Sequence, residues 1–400
     1  MGKVVVIGAG QAAASLVARL RAEGHDGEIT VIGAEAVPPY QRPPLSKAYL
    51  LGEMDQERLY LRPRDFYEAQ GIELMLGTPV TAIDLSARTL IANGEMIGWD
   101  DLVFCTGSEP RRLPAAIGGT LDGVCVVRTL ADVDAMAPRF TKGARVLIVG
   151  GGYIGLEAAA VASKLGLKVT LVEMAERILQ RVAAPETADF FRALHSAHGV
   201  DIREGVGLGA LTGAGRVEAA ELTDGTKLPV DFVIAGVGIV PEVELAEAAG
   251  IAIENGIRTD ATGRTSAPNV WAAGDCASFP HKGAQIRLES VGNAIDQAEL
   301  VADNILGAGR AYEAKPWFWS DQYDVKLQIA GLNHGYDRVV VRKGEGTCSH
   351  WYYAGATLLA LDAMNDPRAY MVGKRLIEAG KSPDPDAVAD PATDLKTLLK

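Results

Sequence analysis

Val4-Val5-Val6-Ile7-Gly8-Ala9-Gly10-Gln11-Ala12-Ala13 opens the chain, and 142 residues later Val146-Leu147-Ile148-Val149-Gly150-Gly151-Gly152-Tyr153-Ile154-Gly155 repeats its pattern. In each copy an apolar, β-branched run stops at a glycine, where the chain must turn sharply and let backbone approach a pyrophosphate. A helix then starts with free N–H groups and the positive end of its dipole facing that anion. A single glycine loop is weak evidence, because tight strand-to-helix turns are common. Two copies in the same strand-turn-helix setting predict an α/β chain with two Rossmann-like domains and two dinucleotides.

The residues after each loop separate the roles. In the second copy the strand Lys168-Val169-Thr170-Leu171-Val172 ends in Glu173, 23 positions beyond Gly150. A carboxylate there accepts from a ribose 2'-hydroxyl and repels a 2'-phosphate, which favours NADH over NADPH, although Arg177 follows closely. In the first copy Ile29-Thr30-Val31-Ile32 runs into Gly33-Ala34-Glu35. Glu35 is the expected ribose partner of the first nucleotide, and its competing reading is a solvated loop acid.

With 400 residues, 48% of them hydrophobic and 22% charged, the chain is long enough for two or three domains with full cores. A formal net charge of -12 disfavours a general nucleic-acid or anionic-membrane binder, since such a surface repels both and an acidic partner must find a local basic patch. No stretch approaches the roughly 18 apolar residues of a spanning helix, so a cytoplasmic enzyme is expected. Cys105, Cys125, Cys276 and Cys348 are scattered and form neither C-x-x-C nor C-x4-C, which leaves no redox dithiol or iron-sulfur cradle in the sequence. His195 and His198 stand three apart with no third ligand nearby, so no metal site is expected.

Four segments follow from the pattern: 1–110 and 237–313 as two parts of one nucleotide domain, 111–236 as a second inserted domain, and 314–400 as an α+β C-terminal domain. The stiff loop Pro38-Pro39-Tyr40-Gln41-Arg42-Pro43-Pro44-Leu45-Ser46-Lys47 follows the first strand-helix-strand unit, its prolines fixing backbone angles around Arg42 and Lys47. Val233-Ile234-Ala235-Gly236-Val237-Gly238 closes the inserted domain with another strand-then-glycine turn. Beyond Ala314 the composition turns aromatic and β-rich, with Trp317, Trp319, Tyr323, Trp351, Tyr352 and Tyr353. A Pro/Asp-rich stretch from Ser382 to Pro391 and a short Lys-containing helix end the chain.

Five motifs in order resemble one flavoprotein family: the loop ending at Lys47, G-G-G-Y-I-G-L-E ending at Glu157, A-x-G-D at Asp275, E-S-V-x-N-A from Glu289 to Ala294, and P-W-F-W-S-D-Q-Y from Pro316 to Tyr323. The family is that of FAD-dependent NADH:ferredoxin reductases of the putidaredoxin, rhodocoxin and biphenyl-dioxygenase type, and the resemblance spans essentially the whole chain. It implies a glutathione-reductase-like architecture. It also implies non-covalent FAD on Gly8, Gly10, Ala12 and Ala13, with Arg42, Lys47, Val80, Arg128, Asp275, Val291 and Trp319 as further contacts. NADH would lie on Gly150, Gly152, Ile154, Gly155, Glu173 and Gly238, with Glu157 approaching the nicotinamide and Lys47 near it. From the residues alone, Val80 and Val291 read equally as core, Glu157 as a helix-start acid and Lys47 as a solvated side chain.

The implied chemistry needs placement more than acid-base groups, because hydride transfer requires two rings in contact. The implied acceptor is a [2Fe-2S] ferredoxin serving a cytochrome P-450 monooxygenase or a ring-hydroxylating dioxygenase, with Arg62, Arg64 and Arg287 as candidate docking cations on a monomer or weak dimer. Two other classes compete. An NADH oxidase or peroxidase would want a reactive Cys in the 41–47 loop, which has none. A flavin-dependent redox sensor would change partner binding rather than turn over.

Overall fold

The computed structural model describes residues 1–399. They divide into two compact units, one of residues 1–42, 55–109 and 240–316, the other of residues 43–54, 110–239 and 317–400. The proline-rich loop is therefore split just after Arg42.

The first unit is built on a parallel sheet in which Val270–Ala272, Asp101–Phe104, Val4–Ile7, Ile29–Gly33 and Ile72–Leu76 lie side by side in that order. Val4 to Ile7 are buried on both faces, as a continuous β-branched run in a covered parallel sheet must be. One face packs under the helices Gln11–Ala22 and Val291–Ile305 through Leu16, Val17, Leu20, Ala298 and Val301. The other carries Leu90, Trp99, Ala246 and Ile251, beneath an antiparallel trio of Val80–Asp84, Thr89–Ala92 and Glu95–Gly98.

The second unit repeats the device with the strand order Asp201–Glu204, Lys168–Glu173, Arg145–Val149, Phe232–Ala235 and Val124–Cys125, all parallel. To it belongs an antiparallel sheet in the order Trp317–Gln322, Val325–Gly331, Thr357–Met364, Thr347–Ala354 and Arg338–Gly344. Helix Pro367–Glu378, headed by Asp366, packs on that sheet around Trp351, Leu361 and Leu376. The helix Pro185–Ala197 meets the same sheet through Thr187, which donates to Asp362 at 2.7 Å and lies 2.7 Å from His350 Nδ1. Burial pushes the Asp362 carboxyl up to about 6 even though Tyr352 and Thr187 both donate to it. The Pro/Asp-rich stretch holds a short helix, Pro385–Ala389, and the expected terminal helix is a 3-10 turn over Leu395–Leu399.

Candidate functional site

The two glycine loops have matching geometry. Gly8 has φ +103° and a Cβ there would lie 2.2 Å from the Cys105 carbonyl oxygen; Gly150 has φ +106° and its Cβ would lie 2.3 Å from the Gly236 oxygen. Both positions therefore demand glycine on two counts, handedness and close approach. At Gly10 and Gly152 a Cβ would meet nothing within 4 Å, so the backbone there faces open space. The helices that follow, Gln11–Ala22 and Tyr153–Lys164, have no side-chain cap and no acid in their first turns. By contrast Thr129, Ser290 and Asp366 cap the helices they precede. Uncapped N–H groups with room in front of them suit a pyrophosphate, and the donor set fits a dinucleotide in each unit.

In the first unit the Glu35 carboxylate accepts from the Tyr40 hydroxyl at 2.6 Å and from Arg42 Nη2 at 2.6 Å. Burial works against the Arg42 charge, yet Tyr40 and Glu35 outweigh it and hold its pKa above the usual arginine value. Asp275 accepts from Ser108 at 3.2 Å beside Gly274, itself at φ +84°. Between Asp275 and helix Val291–Ile305 lies the hairpin of Ala277–His281 and Ala284–Ile286, so the family expectation of a helix directly after Asp275, its N-terminus toward the flavin, is not met. Val80 and Val291 are half-buried, Val80 against the apolar face below the sheet.

In the second unit Glu173, the expected ribose partner of NADH, is already tied to its own glycine loop. Its Oε2 accepts from the Gly151 N–H at 2.7 Å and its Oε1 from the Ala175 N–H at 2.8 Å. A carboxylate has about four acceptor sites, so two directions stay open. Ile154, Met174 and Val237 stand exposed around the carboxyl ends of these strands, 44%, 79% and 36% respectively, an apolar rim where a dinucleotide lies in such folds. Gly238, at φ +98°, accepts from the Arg111 N–H.

Glu157 is 2% exposed, one turn into the second glycine-loop helix. Its Oε2 accepts from Lys47 Nζ at 2.8 Å and from Ser46 Oγ at 2.6 Å; its Oε1 accepts from Ser320 Oγ at 2.7 Å. Three donors from two separated segments, the neighbours Ser46 and Lys47 and the distant Ser320, thus fill three of about four acceptor sites on one buried anion. Lys47 and Glu157 were legible in the motifs, whereas Ser46 and Ser320 were not. Ser320 lies 163 positions from Glu157, and its only sequence signal is its place between Trp319 and Asp321 in an aromatic strand.

A family profile described as pyridine nucleotide-disulphide oxidoreductase matches residues 2–298, and one described as reductase C-terminal matches residues 317–399. The chain belongs to the pyridine nucleotide-disulphide oxidoreductase family. Within that family it is similar to a ferredoxin--NAD(P)(+) reductase of Sphingomonas sp, 45% identical over 99% of this chain and 97% of the relative. It is 40% identical, over 99% of this chain and 98% of the relative, to the ferredoxin--NAD(+) reductase component of the anthranilate 1,2-dioxygenase system of Burkholderia cepacia. Among solved structures it matches the covalent putidaredoxin reductase-putidaredoxin complex with a TM-score of 0.96 and 40% identity, covering 100% of this chain and 98% of that one. The chain is a FAD-dependent pyridine-nucleotide reductase of this ferredoxin reductase group.

The thiols of this chain carry no mark of redox chemistry. Cys105, Cys276 and Cys348 are buried, Cys125 is half-buried, all four are free, and burial raises each thiol's pKa. A reactive thiol is shifted the other way. Of the three docking arginines, Arg62 and Arg64 are exposed, Arg62 lying over the Phe66 ring. Arg287 is not available: its side chain is 9% exposed, paired with Glu289 at 2.8 Å and donating to the carbonyls of Asn255 and Asp275. It braces the Asp275 loop instead. Arg128, half-buried, directly precedes the Thr129 cap of helix Leu130–Met136, and Trp319 stacks on Trp317 at 5.4 Å. His195 is fully buried and its Nε2 meets Gln322, so it serves the interior.

Proposed function

We propose that this reductase binds FAD on the first cradle and NADH on the second, and passes electrons singly to a [2Fe-2S] ferredoxin of an oxygenase system. Bound FAD supplies the chemistry of taking two electrons as hydride from NADH and releasing them one at a time. Gly8, Gly10, Ala12 and Ala13 would present backbone to the flavin nucleotide's pyrophosphate, with Glu35 at its ribose and Arg42, Lys47, Val80, Arg128, Asp275, Val291 and Trp319 as its further contacts. Gly150, Gly152, Ile154, Gly155 and Gly238 would cradle NADH, and the two open directions on Glu173 would take its adenosine ribose. The observation that carries the reading is Glu157. An anion this deeply buried, neutralised by Lys47 and left with one acceptor direction, suits a neutral N–H donor such as the nicotinamide carboxamide.

The assignment of a ferredoxin partner is supported by the likeness to ferredoxin reductases and to the putidaredoxin reductase-putidaredoxin complex. Segments 1–110 and 237–313 would form the flavin domain, 111–236 the NADH domain and 314–400 the C-terminal domain of a monomer or weak dimer. Four free cysteines accord with a reducing cytoplasm, and no helix among the described residues is long and apolar enough to cross a membrane. The test is anaerobic: purified holoprotein and NADH are mixed with [2Fe-2S] proteins encoded nearby, and the visible spectrum of each is followed. Rapid bleaching of one of them supports the reading. No reduction of any, with peroxide formed per NADH in air, contradicts it.

A further inference from the structure

The strand Trp317–Gln322 turns alternate side chains to the helices of its own unit. Phe318 lies 4.9 Å from the ring of Tyr153, Ser320 reaches Glu157, and Gln322 reaches His195 on helix Pro185–Ala197. Tyr153 and Glu157 are four apart on one helix and Phe318 and Ser320 two apart on the strand, so helical and strand periods match along the contact. Ser320, Gln322 and His195 are each fully buried.

The donors in this row can run in one direction. Glu157 as an anion only accepts, so the single hydroxyl proton of Ser320 is committed to Oε1, 2.7 Å away. Ser320 Oγ must then accept from Gln322, which places the amide Nε2 on the serine at 3.1 Å. That turns Gln322 Oε1 toward His195, and His195 Nε2, at 2.8 Å, must carry hydrogen. The Tyr323 hydroxyl, 3.4 Å from His195 Nδ1, stands on the accepting side of the ring, and His198 stacks on Tyr323. Burial holds the His195 ring neutral, with its pKa near 4, so one proton serves and it sits on Nε2.

We propose that Ser320, Gln322 and His195 are positioning residues that fix the Glu157 carboxylate for nicotinamide through a one-way chain of hydrogen bonds. The proposal rests on the reading that Glu157 meets the nicotinamide. A row of donors aligned toward one anion polarises along its length and stabilises the charge without a second cation. It also holds the carboxylate at Oε1, while Lys47 holds Oε2, so its open acceptor direction is set before NADH arrives.

Two measurements test this on the holoprotein. With nitrogen-labelled histidine, NMR should show His195 as the neutral Nε2–H tautomer near neutral pH; a neutral Nδ1–H tautomer overturns the chain. In steady state with ferricyanide, Ser320→Ala should raise KM for NADH about tenfold, the size expected for a lost hydrogen bond to a charged group, while kcat and flavin content change far less. Ser320→Thr, which keeps the hydroxyl, should restore KM, and Gln322→Met should raise it by a smaller factor. Glu157→Gln separates the two readings. If it raises KM but Ser320→Ala does not, the chain is wrong and the role of Glu157 stands; if Glu157→Gln leaves KM unchanged, both fall.

Discussion

A buried carboxylate with one ion-pair partner among the described residues makes Lys47 the most consequential side chain outside the glycine loops. Lys47→Met would leave Glu157, 3% exposed at its side chain, with hydroxyl donors but no countercharge. Removing one partner of a buried pair costs about 3–5 kcal/mol. The expected result is a lower melting temperature of the holoprotein and NADH-dependent bleaching of the flavin slowed at least about tenfold, read by stopped flow. At Gly8 the argument is steric: Gly8→Ala puts a methyl into the Cys105 carbonyl at a left-handed φ, so the purified variant should lose most of its bound FAD. Gly10→Ala has room by the same measure and should fold as well as the parent; its pyrophosphate contact alone would suffer. These glycines were legible in the sequence because their constraint is local. Ser46 and Ser320 were not, because a serine declares its partner only when distant chain is brought beside it.

Elements show the same division between local and long-range information. Both glycine-loop strands and helices lie where their apolar runs and turns predicted, Val4–Ile7 with Gln11–Ala22 and Arg145–Val149 with Tyr153–Lys164. Helix Pro367–Glu378 was missed inside a segment that read as β-rich, although Asp366 before Pro367 is a capping signal. The aromatic strand was visible, but the work of its small even-numbered residue was not. The turn that leads into helix Glu244–Ala248 holds an acidic group with a pH consequence. Burial, with Glu244 and Glu109 nearby, pushes the Glu242 carboxyl from 4.5 up to about 7. The native state thus binds this proton more tightly than the unfolded chain does. The stability it brings is complete below about pH 4.5 and is lost as pH rises through about 7. Glu242→Gln should therefore melt progressively higher than the parent as pH is raised from about 5 to about 8, in a thermal series at constant ionic strength. A gap that stays constant across that range contradicts the shift.

At the scale of the molecule, net charge bears on how a ferredoxin docks. A chain of charge -12 repels any acidic partner at long range, so encounter with one depends on a local patch, for which Arg62 and Arg64 are exposed candidates. Turnover with ferredoxin should fall as salt rises while NADH-ferricyanide turnover barely changes, and Arg62→Glu with Arg64→Glu should lower only the former. Equal salt responses remove the patch. The two cradles were legible because each is a contiguous stretch. The grouping of residues 43–54 with the second unit was not, because it depends on what that arm packs against. The most direct test of the whole account is electron stoichiometry: under anaerobic conditions, NADH consumed is compared with [2Fe-2S] ferredoxin reduced by the yellow holoprotein. Two ferredoxins reduced for each NADH are predicted; a colourless protein that cannot be reconstituted with FAD, or NADH consumed with the ferredoxin left oxidised, would contradict it.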